Sequence, residues 1–439
     1  AAACAPNGDN EVANRALSPE FNLPPMKTFV AHNNGRTTRS NDNLARDFLD
    51  LSFRMETGRT LARLSRFEGL ITVRVEGAVP SSLPVDLSRL IRRLRNEAGL
   101  QIALTDKPEA AITIVTLPKN QLQSEVPGAA CFVVPNVSGW EDFKVRRRAG
   151  QISWIGVSKR EKVSIFLPAD SSPQELRDCL HEELAQAIGP LNDLYRLPDS
   201  VFNDDNFHSV LTAFDMLMLR VTYDDALHAG MRRDAVAAKI PGILRRLNPA
   251  GESKSTLAAS QSSTAWTQAI VTALSNSAIQ VRRQQAARKA INLRANDSSF
   301  DVRDGLAYYA LGRLTIATKP QAGIDALQRA DQIFATDPNM IIHRAKVAEQ
   351  LAEFALQHGD AEKVASLVRP FIQVALKHEN ASLLASLLML RAEGLELEGR
   401  SSEAQLVRLD SLGWARYGYG DETAVLKRLR EIQALSPAN

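Results

Sequence analysis

Cys179-Leu-His-Glu-Glu-Leu-Ala-Gln-Ala-Ile-Gly-Pro-Leu-Asn-Asp193 gathers a histidine and five acidic or amide side chains within fifteen residues. A helix is expected over Pro173–Ile188, ended by Gly189, because glycine permits the left-handed turn that sends a chain back on itself. Glu182 and Gln186 stand four residues apart and so share a face. His181 lies about 100° around the axis from Glu182. Asn192 and Asp193 follow the turn. Two uses are open for this much polarity. Glu182, Gln186 and Asn192 could form a buried hydrogen-bond network that holds the Asn192–Asp205 loop, since buried polar groups need partners; or they could line a site for a ligand.

Upstream of the motif the pattern is mixed. Asn43–Phe67 carries apolar residues at helical spacing, enough for one or two amphipathic helices, and Asp86–Ala98 reads as another helix. Strands are expected at Leu70–Val75, Ala111–Leu117, Cys131–Val134, Ile152–Val157 and Val163–Leu167. Downstream, 248–264 is rich in Ser, Ala, Gly and Pro and reads as a linker. Everything after it is helical in pattern. Helix starts recur at Pro320-Gln-Ala-Gly-Ile324, Gly359-Asp-Ala-Glu-Lys363 and Gly399-Arg-Ser-Ser-Glu-Ala404, about 40 residues apart, which resembles the helix-pair solenoids of the tetratricopeptide class. A plain helical bundle is the alternative. The expected organisation is an extended tether over 1–40, an α+β domain over 41–247, the linker, and an all-α repeat domain over 265–439.

The motif also resembles a metallopeptidase signature. His181-Glu182 looks like the start of a zincin helix, but Ala185 stands where the second ligand should be. One residue later, Glu182-Glu183-x-x-Gln186-x-x-Gly189-x-x-Asn192 has the spacing of the metzincin pattern H-E-x-x-H-x-x-G-x-x-H. Asp199-Ser-Val-Phe-Asn203 falls in the place of the metzincin turn, with Phe202 where Met is usual. Leu211-Thr-Ala-Phe-Asp215 then opens a helix like the closing helix of matrix-type metzincins. The whole of 43–247 resembles a bacterial, alphaproteobacterial-type exported domain family of unknown function. Its marks are Asp47-Phe48-Leu49, Arg66-Phe67-Glu68, a Cys before His-Glu-Glu-x-x-Gln-x-x-Gly-x-x-Asn-Asp, and Tyr223, Asp224, Gly230 and Met231.

The resemblance implies a zincin-like fold with Glu182, Gln186 and Asn192 at the metal-ligand positions and Glu183 at the general-base position; His181 and Asp193 could join a rearranged set. Zinc favours imidazole, thiolate and carboxylate, and calcium wants about six to eight oxygens, so no cofactor is the leading expectation and zinc or calcium the alternative. His208 and His228 are candidate outside ligands, and Asn203-Asp-Asp-Asn206 a candidate cation turn or an exposed acidic one. The leading reading is a domain that has lost its metal and binds a partner in the old cleft. The alternative is an envelope metallopeptidase in which Glu183 activates a metal-bound water.

Composition narrows the setting. Apolar residues make up 44% of the chain, charged residues 23%, and the formal net charge is +3, so there is no strong field for nucleic acid. Ala1-Ala2-Ala3-Cys4 looks like a chain after removal of a secretory signal, and the small-small-Cys ending resembles the bacterial lipobox, with Cys4 lipidated. In an oxidising compartment Cys131 and Cys179 are expected to pair. Lys144–Arg148 reads as a solvated loop or as a site for an acidic partner or lipid headgroups. Trp414, Tyr417 and Tyr419 read as a recognition surface or as the cap of the last helix pair. The whole is expected to be a lipid-anchored periplasmic protein at the outer membrane, a scaffold or assembly factor with protein partners in the cell envelope.

Overall fold

The computed structural model describes residues 23–30, 35–254, 261–297 and 300–437. Cys4 and part of the linker lie outside the described residues. The first half is an α/β domain in the order α1 (Asn41–Ser52), β1 (Ile71–Gly77), α2 (Leu83–Ala98), β2 (Ile102–Leu104), β3 (Ile112–Leu117), α3 (Lys119–Glu125), β4 (Phe132–Pro135), α4 (Trp140–Arg148), β5 (Val163–Pro168), α5 (Pro173–Ile188), α6 (Ala213–Thr222) and α7 (Arg233–Leu247). The sheet runs β2-β1-β3-β5-β4, parallel except for β4, which pairs antiparallel with β5 at one edge.

β3 and β5 are buried along their whole length because both faces of the sheet are covered, which is why they read as near-continuous apolar runs. Alternation sends their side chains to two cores. Ile112, Ile114, Val163, Ile165 and Leu167 face the core that includes α1, α2, α5 and α6, whereas Val115, Leu117 and Phe166 face a smaller one with Trp140 and Phe143 of α4. The Cys131–Cys179 disulfide forms as expected and ties the β4 edge to α5 across 48 residues of chain.

Two local expectations give way, the strand at Ile152–Val157 and the loop at Lys144–Arg148; one of the one or two helices expected within Asn43–Phe67 forms, and β2 is not among the expected strands. Ile152–Val157 is a turn and not a strand: both edges of β5 are already taken by β3 and β4, and Gly156 adopts φ +88°. Only α1 forms within Asn43–Phe67; Leu61 and Leu64 are buried from irregular chain. The short edge strand β2 carries no alternation long enough to announce it. Lys144–Arg148 is the end of α4, an exposed helix face whose charges pair locally, Lys144 with Glu141 at 2.8 Å, Arg146 with Asp142 at 2.7 Å and Arg147 with Glu125 at 3.2 Å.

The second half is all helical: α8 (Thr264–Leu274), α9 (Gln280–Arg294), α10 (Val302–Thr315), α11 (Pro320–Phe334), α12 (Ile341–Gln357), α13 (Ala361–Lys377), α14 (Ala381–Leu397), α15 (Ser401–Tyr419) and α16 (Glu422–Gln433). α11, α13 and α15 begin at the three recurring starts, where Pro320 sits in the first turn of α11 and the Asp360 side chain caps α13. Consecutive helices pack on one another around one core, which also takes in Phe29, Tyr195 and Phe207 from the first half. The two halves are further joined by Tyr417 donating to Asp86 at 2.7 Å, Arg177 pairing with Glu379 at 3.1 Å, and the Ser382 N–H donating to Gln174 at 2.9 Å. The described part of 1–40 is likewise laid against the molecule: Phe29 is buried, and Arg39 pairs with Asp47 and Asp199.

Candidate functional site

α5 begins where Ser172 accepts the Glu175 N–H on its hydroxyl and Pro173 supplies the first turn. Leu176, Leu180, Leu184 and Ile188 are buried in the sheet core, so the helix is fixed and its polar side chains are aimed by packing. Its end is not the expected left-handed turn. Gly189 has φ −143°; glycine is required for space, since a Cβ there would stand 2.6 Å from Leu219 of α6. The last carbonyls of α5 meet a buried guanidinium: Arg160 donates to Gln186 at 2.7 Å, Ala187 at 2.6 Å and Gly189 at 2.6 Å. Tyr223 donates to the Ile188 carbonyl at 2.7 Å. These are the orphan acceptors every helix leaves at its C-terminus, and a cation suits that end of the dipole. Burial lowers Arg160 to about 10, with its guanidinium 4.9 Å from the Trp154 ring.

The motif residues separate into two groups. His181 and Asn192 serve the frame. His181, 4% exposed, accepts the Leu211 N–H on Nδ1 at 3.1 Å; burial, then Arg93 and Arg177, hold it well below the usual imidazole range, hence neutral. Asn192 donates to the Asp50 carbonyl at 2.9 Å and pins the returning loop to α1. Neither His208, bonded to the Pro198 carbonyl, nor His228, bonded to the Ala229 carbonyl, is engaged with this cleft.

The second group lies on and beside the C-terminal half of α5. Glu182, Glu183, Gln186 and Asp193 come together there with Glu56 and Asp204 on exposed loops. Gln186 donates to Asp193 at 3.3 Å. Glu183 is 5% exposed and, among the described residues, its Oε2 has no hydrogen-bond partner, whereas Asp193 shares a hydrogen bond with Glu56. Burial, then Glu182 and Glu56, raise Glu183 well above the carboxylate range. Burial raises Glu182 to about 8, with Asp204, Glu56 and Asp178 adding to it. Burial, then Glu56, raise Asp193 strongly and Asp204 to about 6. Among the described residues, every charge that shifts Glu182 and Glu183 is another carboxylate.

Zinc does not fit this set. The donors are carboxylate and amide oxygens without imidazole or thiolate, and among the described residues no three His, Cys, Asp or Glu side chains stand where they could hold one metal ion. The turn beyond the returning loop is firmly held. Phe202 is fully buried in the turn that follows the loop. Asp215 accepts Ser200 Oγ at 2.5 Å and the Val201 N–H at 3.2 Å while closing a capping box with Thr212 at the start of α6.

Sequence reasoning missed Arg160 and Glu56, which reach the site only through folding. The remaining marked residues hold each other: Arg66 pairs with Glu68 at 2.9 Å, donates to the Thr222 carbonyl at 2.8 Å and lies over the Tyr223 ring. The aromatic trio is not an open surface. Tyr417 is 1% exposed, Tyr419 bonds Ser386 at 2.6 Å, and Trp414 lies under Phe29, because α15 is packed against α14 and α5.

Residues 41–242 match a family described as a protein of unknown function (DUF2927), so the α/β domain, with the whole acidic cleft, is similar to that family. No curated protein and no solved structure matches the chain.

Proposed function

We propose that the protein is a non-catalytic binding or assembly factor of the cell envelope, whose degenerate, zincin-like cleft receives a basic group of a protein partner. The observation that carries this is the Glu183 carboxyl: an oxygen buried, among the described residues, without a hydrogen-bond partner and beside other carboxylates. An unsatisfied buried acid is expensive to keep, and a guanidinium or ammonium supplies both the missing donors and the missing charge. A protonated Glu183 is also unsuited to accept a proton as general base, and Asn192 is committed to Asp50, which weighs against the peptidase reading. Support for the zincin-like ancestry is the order of parts: a buried motif helix, Gly189 closing it, a returning loop, the turn at Phe202, and a capped closing helix. The disulfide favours an oxidising compartment, in keeping with export to the periplasm and a lipid anchor at Cys4, and the helical domain would supply further surface for tetratricopeptide-like contacts.

The test is calorimetric titration of the full chain with an arginine-rich peptide, and separately with zinc and calcium, at pH 8. Saturable peptide binding with proton release, weakened about tenfold or more in E182Q/E183Q, is expected. Peptide binding indifferent to those substitutions, or stoichiometric zinc uptake, would overturn the reading.

A further inference from the structure

Leu23–Val30 lies along α15 although it belongs to no helix or strand. Lys27 donates its backbone N–H to the Gly413 carbonyl at 3.0 Å, and its ammonium pairs with Asp410. Arg416 donates to the Pro24 carbonyl at 2.9 Å. Phe29 is the anchor. It is 2% exposed, stacks on Trp414 with centroids 4.7 Å apart, meets Tyr417 edge-on at 6.0 Å, and has the Arg177 guanidinium 5.1 Å from its ring. Met26 and Val30 are exposed, Val30 at 79%. Gly413 makes the approach feasible: a Cβ there would stand 3.1 Å from Cγ of Lys27 and 3.2 Å from the Pro25 carbonyl oxygen.

These are the elements of extended-peptide recognition. A main-chain bond fixes direction and register, and an aromatic anchor in a pocket supplies selectivity. The pocket's walls are held independently of their occupant. Tyr417 bonds Asp86, and Arg177 pairs with Glu379, so the groove between α5 and α15 is braced from both sides of the molecule. Aromatic stacking and a guanidinium over the ring add to the hydrophobic gain of burying Phe29.

We propose that this groove is a peptide-binding site which the chain's own Leu23–Val30 occupies in cis, and that its partner is an extended segment of another protein with the same chemistry, a lysine two residues before an aromatic and prolines ahead of them. The proposal deepens the binding reading by naming a second surface, distinct from the acidic cleft. Because the cis segment is covalently linked, it competes at an effective concentration on the order of millimolar. A partner segment therefore gains the groove only if it binds well or is anchored elsewhere on the protein at the same time.

The experiment replaces residues 31–34 of the full chain with a protease site, which keeps the sequences of Leu23–Val30 and α15 intact. After cleavage, labelled peptide Leu-Pro-Pro-Met-Lys-Thr-Phe-Val is titrated in and followed by fluorescence anisotropy. Saturable binding is expected, with release of the native 1–30 fragment, at least tenfold tighter than to uncleaved protein. The same peptide with Phe replaced by Ala should lose most of that affinity, and G413L in the cleaved chain should abolish it while leaving the thermal midpoint close to that of the cleaved parent. A fragment that cannot be exchanged, or unfolding on cleavage, would make the segment a fixed part of the fold and overturn the proposal; so would exchange indifferent to Phe. The acidic cleft takes no part in this exchange, so its own titration is judged separately.

Discussion

At the scale of single residues, the acidic cleft and the end of α5 make opposite demands. Glu182, raised to about 8, keeps its proton in the folded chain while an unfolded glutamate loses it near 4.3. As pH rises through that window the unfolded state sheds a proton and the folded state does not, so stability falls. The double change E182Q/E183Q removes the effect: a gain of about 1–2 kcal/mol at pH 8, after allowance for solvent screening, and almost none at pH 4, read from urea unfolding at both. An unchanged pH dependence would count against the cleft as described. Arg160 is the converse, a buried cation whose three carbonyl partners have no substitute. R160A should cost roughly 3–5 kcal/mol, with the loss seen first as faster amide exchange at the C-terminal turn of α5.

At the scale of elements, what could be read from the sequence is what short-range pattern encodes. β3 and β5 announce themselves as apolar runs, α2 by its Leu87, Leu90, Ile91 and Leu94 stripe, α5 by Pro173, and α11, α13 and α15 by their Pro, Asp and Gly starts. β2 has three residues and no room for alternation, and Ile152–Val157 alternates but precedes a strand, β5, whose two edges are taken by β3 and β4. The motif helix was legible, but not which of its polar residues would meet. His181 and Asn192 were drawn to backbone groups of Leu211 and Asp50, and Glu56 was brought in from far along the chain. Two elements also share a covalent tie. Breaking Cys131–Cys179, which closes a span of 48 residues, should lower stability by about 4 kcal/mol; comparing thermal midpoints of C131S/C179S and the parent checks it. G189A, by pushing a methyl toward Leu219, should cost about 1–3 kcal/mol.

At the scale of the whole molecule, the two halves meet through a buried polar seam. His343 of α12 donates to Asp205 at 3.0 Å, both nearly sealed from solvent, and the His208 ring lies 6.0 Å from His343 and 5.6 Å from His378. Burial, then His343, lower His208, and burial, then His208, Lys377 and His343, bring His378 to about 3. An exposed histidine takes a proton near 6.5. Below that pH, separated halves gain protons that the joined form refuses, so the seam weakens as pH falls from about 6.5 toward 3. Small-angle scattering across pH 7.5 to 4.5 should show expansion that H208Q/H378Q suppresses. The acidic cleft gains stability over the same descent, so the α/β domain itself should stay folded while the seam loosens.

In the reading we propose, the motif helix receives a basic group of a partner where a zincin would hold a metal. Elemental analysis of the native protein, purified from an exported form without chelators or an affinity metal, tests it most directly. Well under about a tenth of an equivalent of zinc or any other transition metal is expected. About one equivalent, lost in E182A, would contradict it and restore the peptidase reading.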